Sequence, residues 1–174
     1  MKIEIKVLNK EFYKVDKRGG SYYDLPRYQT NGSGAMDLIC TENVTIRSGE
    51  TKMLPTGLAI WIGSGTNGHK ISSEENPEYL DFIGMIAPRS SYGSEGLMLA
   101  NTIGIIDSDY QGELKILAWN RLNNCNLNKN VIKLKAGDRI AQLMLLPVIK
   151  AKWEMVEEFH DKTLRGCGGF GSTN

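Results

Sequence analysis

Two carboxylates and a tyrosine follow an apolar run in ANTIGIIDSDYQGELKI, residues 100–116. The letters IGII lead directly into DSDY, which runs from Asp107 to Tyr110, and Gly112 comes before a second apolar run. This order predicts a β-hairpin that carries its carboxylates at the tip, where they are placed to do chemistry. The alternative is an ordinary turn, which uses Asp, Ser and Gly for their turn-forming properties.

A basic, hydroxyl-bearing group stands in APRSSYGSEG, residues 87–96. Pro88 ends a strand pattern, and the next residues are Arg89, Ser90 and Ser91. A guanidinium beside two hydroxyls is suited to phosphate oxygens. The alternative is a capped short helix that follows a strand.

Two other segments place single polar residues next to apolar ones. In GDRIAQL, residues 137–143, Arg139 and Gln142 flank an apolar pair, and Arg139 is better explained as a structural ion-pair partner than as a ligand contact. In GSGAMDL, residues 32–38, a loop of small residues enters a strand and delivers Asp37.

The chain ends on TLRGCGGFGSTN, residues 163–174. Backbone N–H groups at glycines can cradle phosphates, but no helix follows and no lysine takes the P-loop position, so this is not a Walker motif. Phe170 has no strand pattern around it, which leaves stacking on a planar group as a use for its ring.

The elements that must position these residues are short strands. KIEIKVL alternates polar and apolar residues, and β-branched runs such as NVTI, GLAIWI, DFIGMIA, ELKILAW and VIKL recur between turn residues. This spacing predicts a single all-β domain, a sandwich or barrel, with one possible short helix near SSYGSEG. Residues 16–34 and 63–79 are polar and rich in turn residues, which indicates loops.

Composition excludes several classes of function. The net charge of +1 argues against a general nucleic-acid binder, and no apolar run approaches the roughly 20 residues of a membrane span. The N-terminus lacks the apolar core of a signal peptide. The cysteines Cys40, Cys125 and Cys167 are odd in number and lack a CxxC, which favours a reducing, intracellular setting. With only His69 and His160 besides, a zinc site or a Ser/His/Asp triad is disfavoured.

In this order and at these separations, the five segments closely resemble the five motifs of the trimeric dUTP pyrophosphatase (dUTPase) family. GSGAMDL resembles the first motif, PRSSYGSEG the second, NTIGIIDSDYQGE the third, AGDRIAQLMLLPV the fourth and RGCGGFGST the fifth. The resemblance implies a jelly-roll-like β-barrel over residues 1–162 and a flexible glycine-rich arm over residues 163–174. It implies a homotrimer with shared active sites that hydrolyses dUTP to dUMP and pyrophosphate with Mg²⁺. The expected location is the cytoplasm, or the interior of a host cell if the source is a phage or virus.

The resemblance also assigns roles in the third motif. Asp107 matches the general base that activates water for attack on the α-phosphate; because a carboxylate is a weak base, positioning and charge stabilisation must do most of the catalysis. Tyr110 matches the residue that packs on the sugar and leaves no room for a 2′-hydroxyl. Asn101 and the adjoining hairpin backbone, which includes Ile106, match the uracil reader.

The other motifs supply the remaining contacts implied by the resemblance. Asp37 matches an acid that reaches the metal indirectly, through water, and Phe170 matches the aromatic that stacks over uracil. The other expected substrate contacts are Arg89, Ser90, Ser91, Gln142, Arg165, Gly171, Ser172 and Thr173. We expect the arm to be disordered without ligand and to fold over bound dUTP.

Some residues depart from the family pattern, and two other functions were weighed. Ala35 stands where the first motif more often has Gly, and Glu95 stands where the second often has a basic residue. The nearest alternative is a dCTP deaminase or a bifunctional deaminase and dUTPase, but IIDSDYQG has the dUTPase pattern. A non-catalytic interaction homologue is the other, and its expected erosion of Asp107 or of the tail is not seen.

Overall fold

A computed structural model describes residues 2–13, 25–63, 69–70, 79–122 and 130–169. Within these ranges the elements are β1 Glu4–Val7, β2 Met36–Ile39, β3 Val44–Ile46, β4 Thr51–Trp61, β5 His69–Lys70, β6 Tyr79–Pro88, α1 Ser90–Ser94, β7 Leu97–Leu99, β8 Gly104–Ile106, β9 Glu113–Asn120, β10 Ile132–Leu134 and β11 Arg139–Val148. The all-β prediction is confirmed, and α1 lies where a short helix was predicted. None of the described residues forms a helix with the length and apolar character needed to cross a membrane.

The strands form three antiparallel sheets. The first has the order β1-β4-β9-β7. The second has the order β2-β11-β6-β5, with β8 also paired to β6, and β10 pairs with β3 in a small third sheet. In the second sheet Gln142 lies opposite Asp37 on β2 and opposite Ala87 on β6, so this register sets the functional residues side by side.

The core lies between the first and second sheets. In β9 the inward residues Leu114, Ile116 and Ala118 are buried, whereas the alternate residues face outward. They pack in one apolar cluster with residues of the second sheet such as Ile86 and Leu143. A Leu114→Ala change would therefore cost about 2–5 kcal/mol of unfolding free energy, because it leaves a cavity in this cluster.

The predicted hairpin between residues 100 and 116 is wrong. β8 pairs with β6 in the second sheet, whereas β9 pairs with β4 and β7 in the first, so residues 107–112 cross from one sheet to the other. The crossing contains its own turn, closed by the Tyr110 N–H to the Asp107 carbonyl at 3.1 Å, and the Gly63 N–H donates to the Ser108 carbonyl at 3.0 Å. Two apolar runs around a turn indicate strands, but they do not say which neighbours those strands pair with.

The predicted loops are described only in part. Within the 63–79 stretch, residues 69–70 form β5, which pairs with the start of β6, so this stretch is not loop throughout. Most of that stretch and residues 14–24 lie outside the described residues.

After Val148 the chain continues as the terminal segment, residues 149–169, which contains no strand or helix. Its large apolar side chains are highly exposed, among them Ile149, Trp153, Met155, Phe159 and Leu164. Lys150 binds the Asp81 carboxylate at 2.6 Å, a hydrogen bond that raises the pKa of Lys150. The division into a barrel over residues 1–162 and an arm over residues 163–174 stays a prediction.

Candidate functional site

Asp37 lies between two arginines that arrive from different strands. Its Oδ1 is 2.7 Å from Nε of Arg89, which follows β6, and its Oδ2 is 3.3 Å from Nη1 of Arg139, which begins β11. Arg89 Nη1 also donates to the Arg139 carbonyl at 3.2 Å. These contacts agree with the prediction that Arg139 serves as an ion-pair partner, and they leave one carboxylate between two guanidinium groups.

These residues border a cleft of about 490 Å³, which is large enough for a small ligand. Ser90 and Gln142 line it together with Asp37 and Arg89, so the structure brings residues of three predicted motifs to one surface. The Gln142 amide donates to the Pro88 carbonyl at 3.0 Å, which holds the end of β6 against β11. Ser91, the next residue on α1, is not among the residues that line the cleft.

The third-motif residues form a second group. Asp107 is exposed, Ile106 is half-buried opposite Gly84, and Asn101 is exposed in a turn next to Thr102, which has a positive φ of 65°.

Tyr110 is held in place by its neighbours, although it is 44% exposed. Its hydroxyl donates to the Glu113 carbonyl at 3.0 Å. The ring lies so close to Gly112 that a Cβ built there would be 2.4 Å from the Tyr110 oxygen.

Within one chain, the two groups are far apart. Asp37 lies on β2, and β11 and β6 separate it from β8, which leads to Asp107. Asp107 also lies four residues further along β6 than Ala87, the residue level with Asp37. Strand spacing and rise therefore put the two Cα atoms about 20 Å apart. One triphosphate cannot have its α-phosphate beside both groups of the same chain.

Arg165 is the described residue of the fifth motif, and it lies in the exposed terminal segment. Its Nε donates to the Gly168 carbonyl at 2.9 Å, and Gly166 takes a positive φ of 50°, so the backbone here forms consecutive turns. The other predicted residues of this motif, which lie outside the described part, are Phe170, Gly171, Ser172 and Thr173.

Sequence reasoning did not identify a contact behind α1. The Tyr92 hydroxyl donates to Asp138 Oδ2 at 2.8 Å. Burial, and then this hydrogen bond, raises the pKa of Tyr92 to about 12, so the phenol stays a proton donor at neutral pH. The two residues are separated by 46 positions, and nothing in their local patterns links them.

The site has few groups for direct metal ligation. Among the described residues there is no group of three or more His, Cys, Asp or Glu side chains that could hold a metal ion. The Asp37 carboxylate in the cleft suits indirect binding of Mg²⁺, which keeps several waters and is often held with substrate phosphates. Burial raises the pKa of the neighbouring Cys40 thiol, which makes it a poor nucleophile.

An antiparallel β-barrel whose cleft gathers arginine, serine and glutamine donors around one carboxylate defines a protein that handles a phosphorylated ligand. The family model for dUTPase matches residues 77–174 of the chain. A deoxyuridine 5′-triphosphate nucleotidohydrolase of Acinetobacter baumannii (strain AYE) is 40% identical over 176 residues, covering 99% of this chain and 98% of the relative. The enzyme of that name from Idiomarina loihiensis is 43% identical and covers 97% of this chain and 95% of its own. The chain belongs to the dUTPase family.

Solved structures show the same fold. A dUTPase of Staphylococcus bacteriophage 80alpha, solved with dUpNHpp, matches with a TM-score of 0.76 and 22% identity over 99% of this chain and 98% of its own. A dUTPase of phage phi11 of S. aureus, described with a structural Mg(II) ion, matches with a TM-score of 0.71 and 19% identity over 92% of this chain and 100% of its own. The jelly-roll-like architecture expected from the sequence is confirmed.

Proposed function

We propose that this chain hydrolyses dUTP to dUMP and pyrophosphate. The observation that carries this assignment is the cleft, where Asp37, Arg89, Ser90 and Gln142 converge from separate motifs of a dUTPase-family chain. In the proposed complex, Arg89 turns its guanidinium from Asp37 toward a phosphate oxygen, and the Ser90 hydroxyl and Gln142 amide donate to others. The cleft thus gives the triphosphate one charged and two neutral donors.

Asp107 is the residue that acts on water in this proposal. Its carboxylate accepts a proton from a water molecule whose oxygen bonds to the α-phosphorus, and the bond to the bridging oxygen breaks opposite, so that pyrophosphate leaves. Asp37 would hold Mg²⁺ through the ion's water shell, and the ion would neutralise charge on the phosphates.

The group around β8 selects the nucleoside. Tyr110 is fixed by the Glu113 carbonyl, so its ring presents a rigid surface that excludes a 2′-hydroxyl. β8 pairs with β6 along one edge. The other edge, from Asn101 to Ile106, offers N–H and C=O groups to uracil. Cytosine mismatches that pattern, and each group left unpaired costs about 1–3 kcal/mol.

The active site is proposed to lie between the subunits of a homotrimer. The separation of about 20 Å between Asp107 and Asp37 supports this, because a second subunit must then supply one of the two groups. The exposed apolar side chains of the terminal segment, and Met53 and Trp119 on the outer face of the first sheet, give an oligomer apolar surface to bury. Residues 163–174 would act as a lid on a neighbouring subunit's nucleotide.

The activity is tested by pyrophosphate release from dUTP, dCTP, dTTP, UTP and dATP with Mg²⁺. We expect turnover of dUTP alone, and its loss in Asp107→Asn. The matched control is Glu50→Gln, a carboxylate-to-amide change in a turn outside the cleft, where Glu50 pairs with Lys52. Equal turnover of dCTP, ammonia release from dCTP, or full activity of Asp107→Asn would overturn the assignment.

Subunit sharing is tested by mixing two inactive variants, Asp107→Asn and Arg89→Ala. If each site takes Asp107 from one chain and Arg89 from another, random exchange rebuilds about one quarter of the sites. We expect sedimentation of a trimer at micromolar concentration and recovery of activity toward that fraction. A stable active monomer, or no recovery after exchange shown by mass spectrometry, would contradict sharing.

A further inference from the structure

The helix α1 has a front and a back. Ser90 at its start lines the cleft, and two residues later, about 200° around the helix, Tyr92 faces away from it. Tyr92 is half-buried and packs against the apolar core. The helix therefore presents a phosphate-binding residue on one side and an anchor on the other.

Few other contacts hold this helix. It spans five residues, its N-cap residue Arg89 makes no side-chain capping bond, and none of its residues is fully buried. A helix this short is not stable by itself. The Ser94 hydroxyl bonds back to Ser91 within the helix at 2.6 Å. Arg121 reaches the Gly93 carbonyl only at 3.4 Å. The bond from Tyr92 to Asp138 at 2.8 Å is thus the shortest hydrogen bond that ties a side chain of α1 to the barrel among those seen in the described residues.

Asp138 is itself well fixed. Its Oδ2 also accepts the Lys135 N–H at 2.7 Å, and its carbonyl accepts the Cys40 N–H at 2.9 Å. The next residue is Arg139, which binds Asp37. One carboxylate therefore connects the back of α1 to the turn that leads into β11, the strand that carries Gln142.

We propose that Tyr92 and Asp138 form a positioning pair that holds Ser90 at a fixed place relative to Arg139 and Gln142. This inference rests on the proposed function, because the ligand of that arrangement is the triphosphate of dUTP. With the pair intact, the donors of two motifs are set before substrate arrives. Without it, α1 must be ordered during binding, which lowers affinity and turnover.

The test compares Tyr92→Phe, which keeps the ring and removes the donor, with two matched variants. Asp138→Asn keeps an acceptor oxygen for both Tyr92 and the Lys135 N–H. Tyr13→Phe removes another phenolic hydrogen bond of 2.8 Å, from Tyr13 to the Thr56 carbonyl, at a buried position that does not line the cleft. It therefore reports what loss of a core hydrogen bond does by itself.

We expect Tyr92→Phe to lower kcat/KM for dUTP about tenfold, the size of effect that loss of one hydrogen bond to a charged group produces. Affinity for dUpNHpp should fall with it, and amide exchange of residues 90–94 in the nucleotide-free protein should become faster. Asp138→Asn should stay within about twofold of the unchanged protein, and Tyr13→Phe should lower the melting temperature without changing kcat/KM.

Two outcomes overturn the pair. One is Tyr92→Phe with unchanged kcat/KM and unchanged exchange at residues 90–94. The other is Tyr13→Phe with the same loss of kcat/KM as Tyr92→Phe, which would mean general destabilisation. If the unchanged protein does not hydrolyse dUTP, the proposed function fails, while amide exchange still decides whether Tyr92 holds α1.

Discussion

Replacing Asp37 with asparagine should change ligand binding in opposite directions with and without metal. In the ligand-free site Arg89 and Arg139 are both engaged by this carboxylate, at 2.7 and 3.3 Å. An incoming phosphate must therefore compete with Asp37 for Arg89. The amide of the Asp37→Asn variant is neutral and competes less well, but the variant also loses the charge that favours hydrated Mg²⁺.

The magnitude follows from the exposure of the pair. The side chains of Asp37 and Arg89 are 17% and 31% exposed, so solvent screens their attraction strongly. At an effective dielectric constant of about 20 the gross attraction is about 4 kcal/mol, and exposed pairs contribute about 0.2–1 kcal/mol once solvation and entropy are included. Release of Arg89 from about 1 kcal/mol of attraction should tighten metal-free binding about fivefold.

The assay is calorimetric titration of dUpNHpp in EDTA and in Mg²⁺, beside turnover of dUTP. We expect Asp37→Asn to bind about fivefold tighter in EDTA. With Mg²⁺ it should lose about 10–100-fold in kcat/KM, the usual cost of an outer-shell metal partner. Glu50→Gln, which lies outside the cleft, should change neither. Weaker binding of Asp37→Asn in EDTA would refute the idea that Asp37 competes with substrate for Arg89.

Three other predictions follow from single features. Gly112→Ala should displace the Tyr110 ring, because the new Cβ would lie 2.4 Å from its oxygen, so kcat/KM for UTP relative to dUTP should rise; an unchanged ratio would contradict this role. Because the native state raises the pKa of Tyr92 to about 12, from 10.0, it holds a proton that the unfolded state loses at lower pH. The stability supplied by Tyr92 should therefore be complete below pH 10 and fall between about pH 10 and 12, seen as a shrinking difference in melting temperature between the protein and Tyr92→Phe. Truncation after Thr163 should greatly reduce turnover while sedimentation still shows a trimer, and an unchanged rate would refute the proposed lid.

The sequence predicts the strands well because each is a local pattern. Alternation in β9 and the short run after Pro88 correctly indicate a strand and a helix. The cleft follows in part, since Asp37 and Gln142 lie on strands that the fold pairs directly.

Non-local pairing was beyond the pattern. The predicted hairpin failed because β8 and β9 find partners in different sheets, a choice made by packing rather than by the residues between them. The contact of Tyr92 with Asp138 could not be found for the same reason, as it depends on how α1 docks on a distant turn. The separation of Asp107 from the cleft likewise needs the strand order.

The terminal segment has a consequence for the lifetime of a newly made subunit. Trp153 and Met155 are 97% and 98% exposed, and the backbone around them lacks strand or helix bonds. Unstructured backbone beside large apolar side chains is what proteases cleave and chaperones bind. These residues are also translated last, after the strands of the barrel. An unassembled chain is therefore a better substrate for degradation than one whose segment is covered, so the cell removes single subunits in preference to assembled ones.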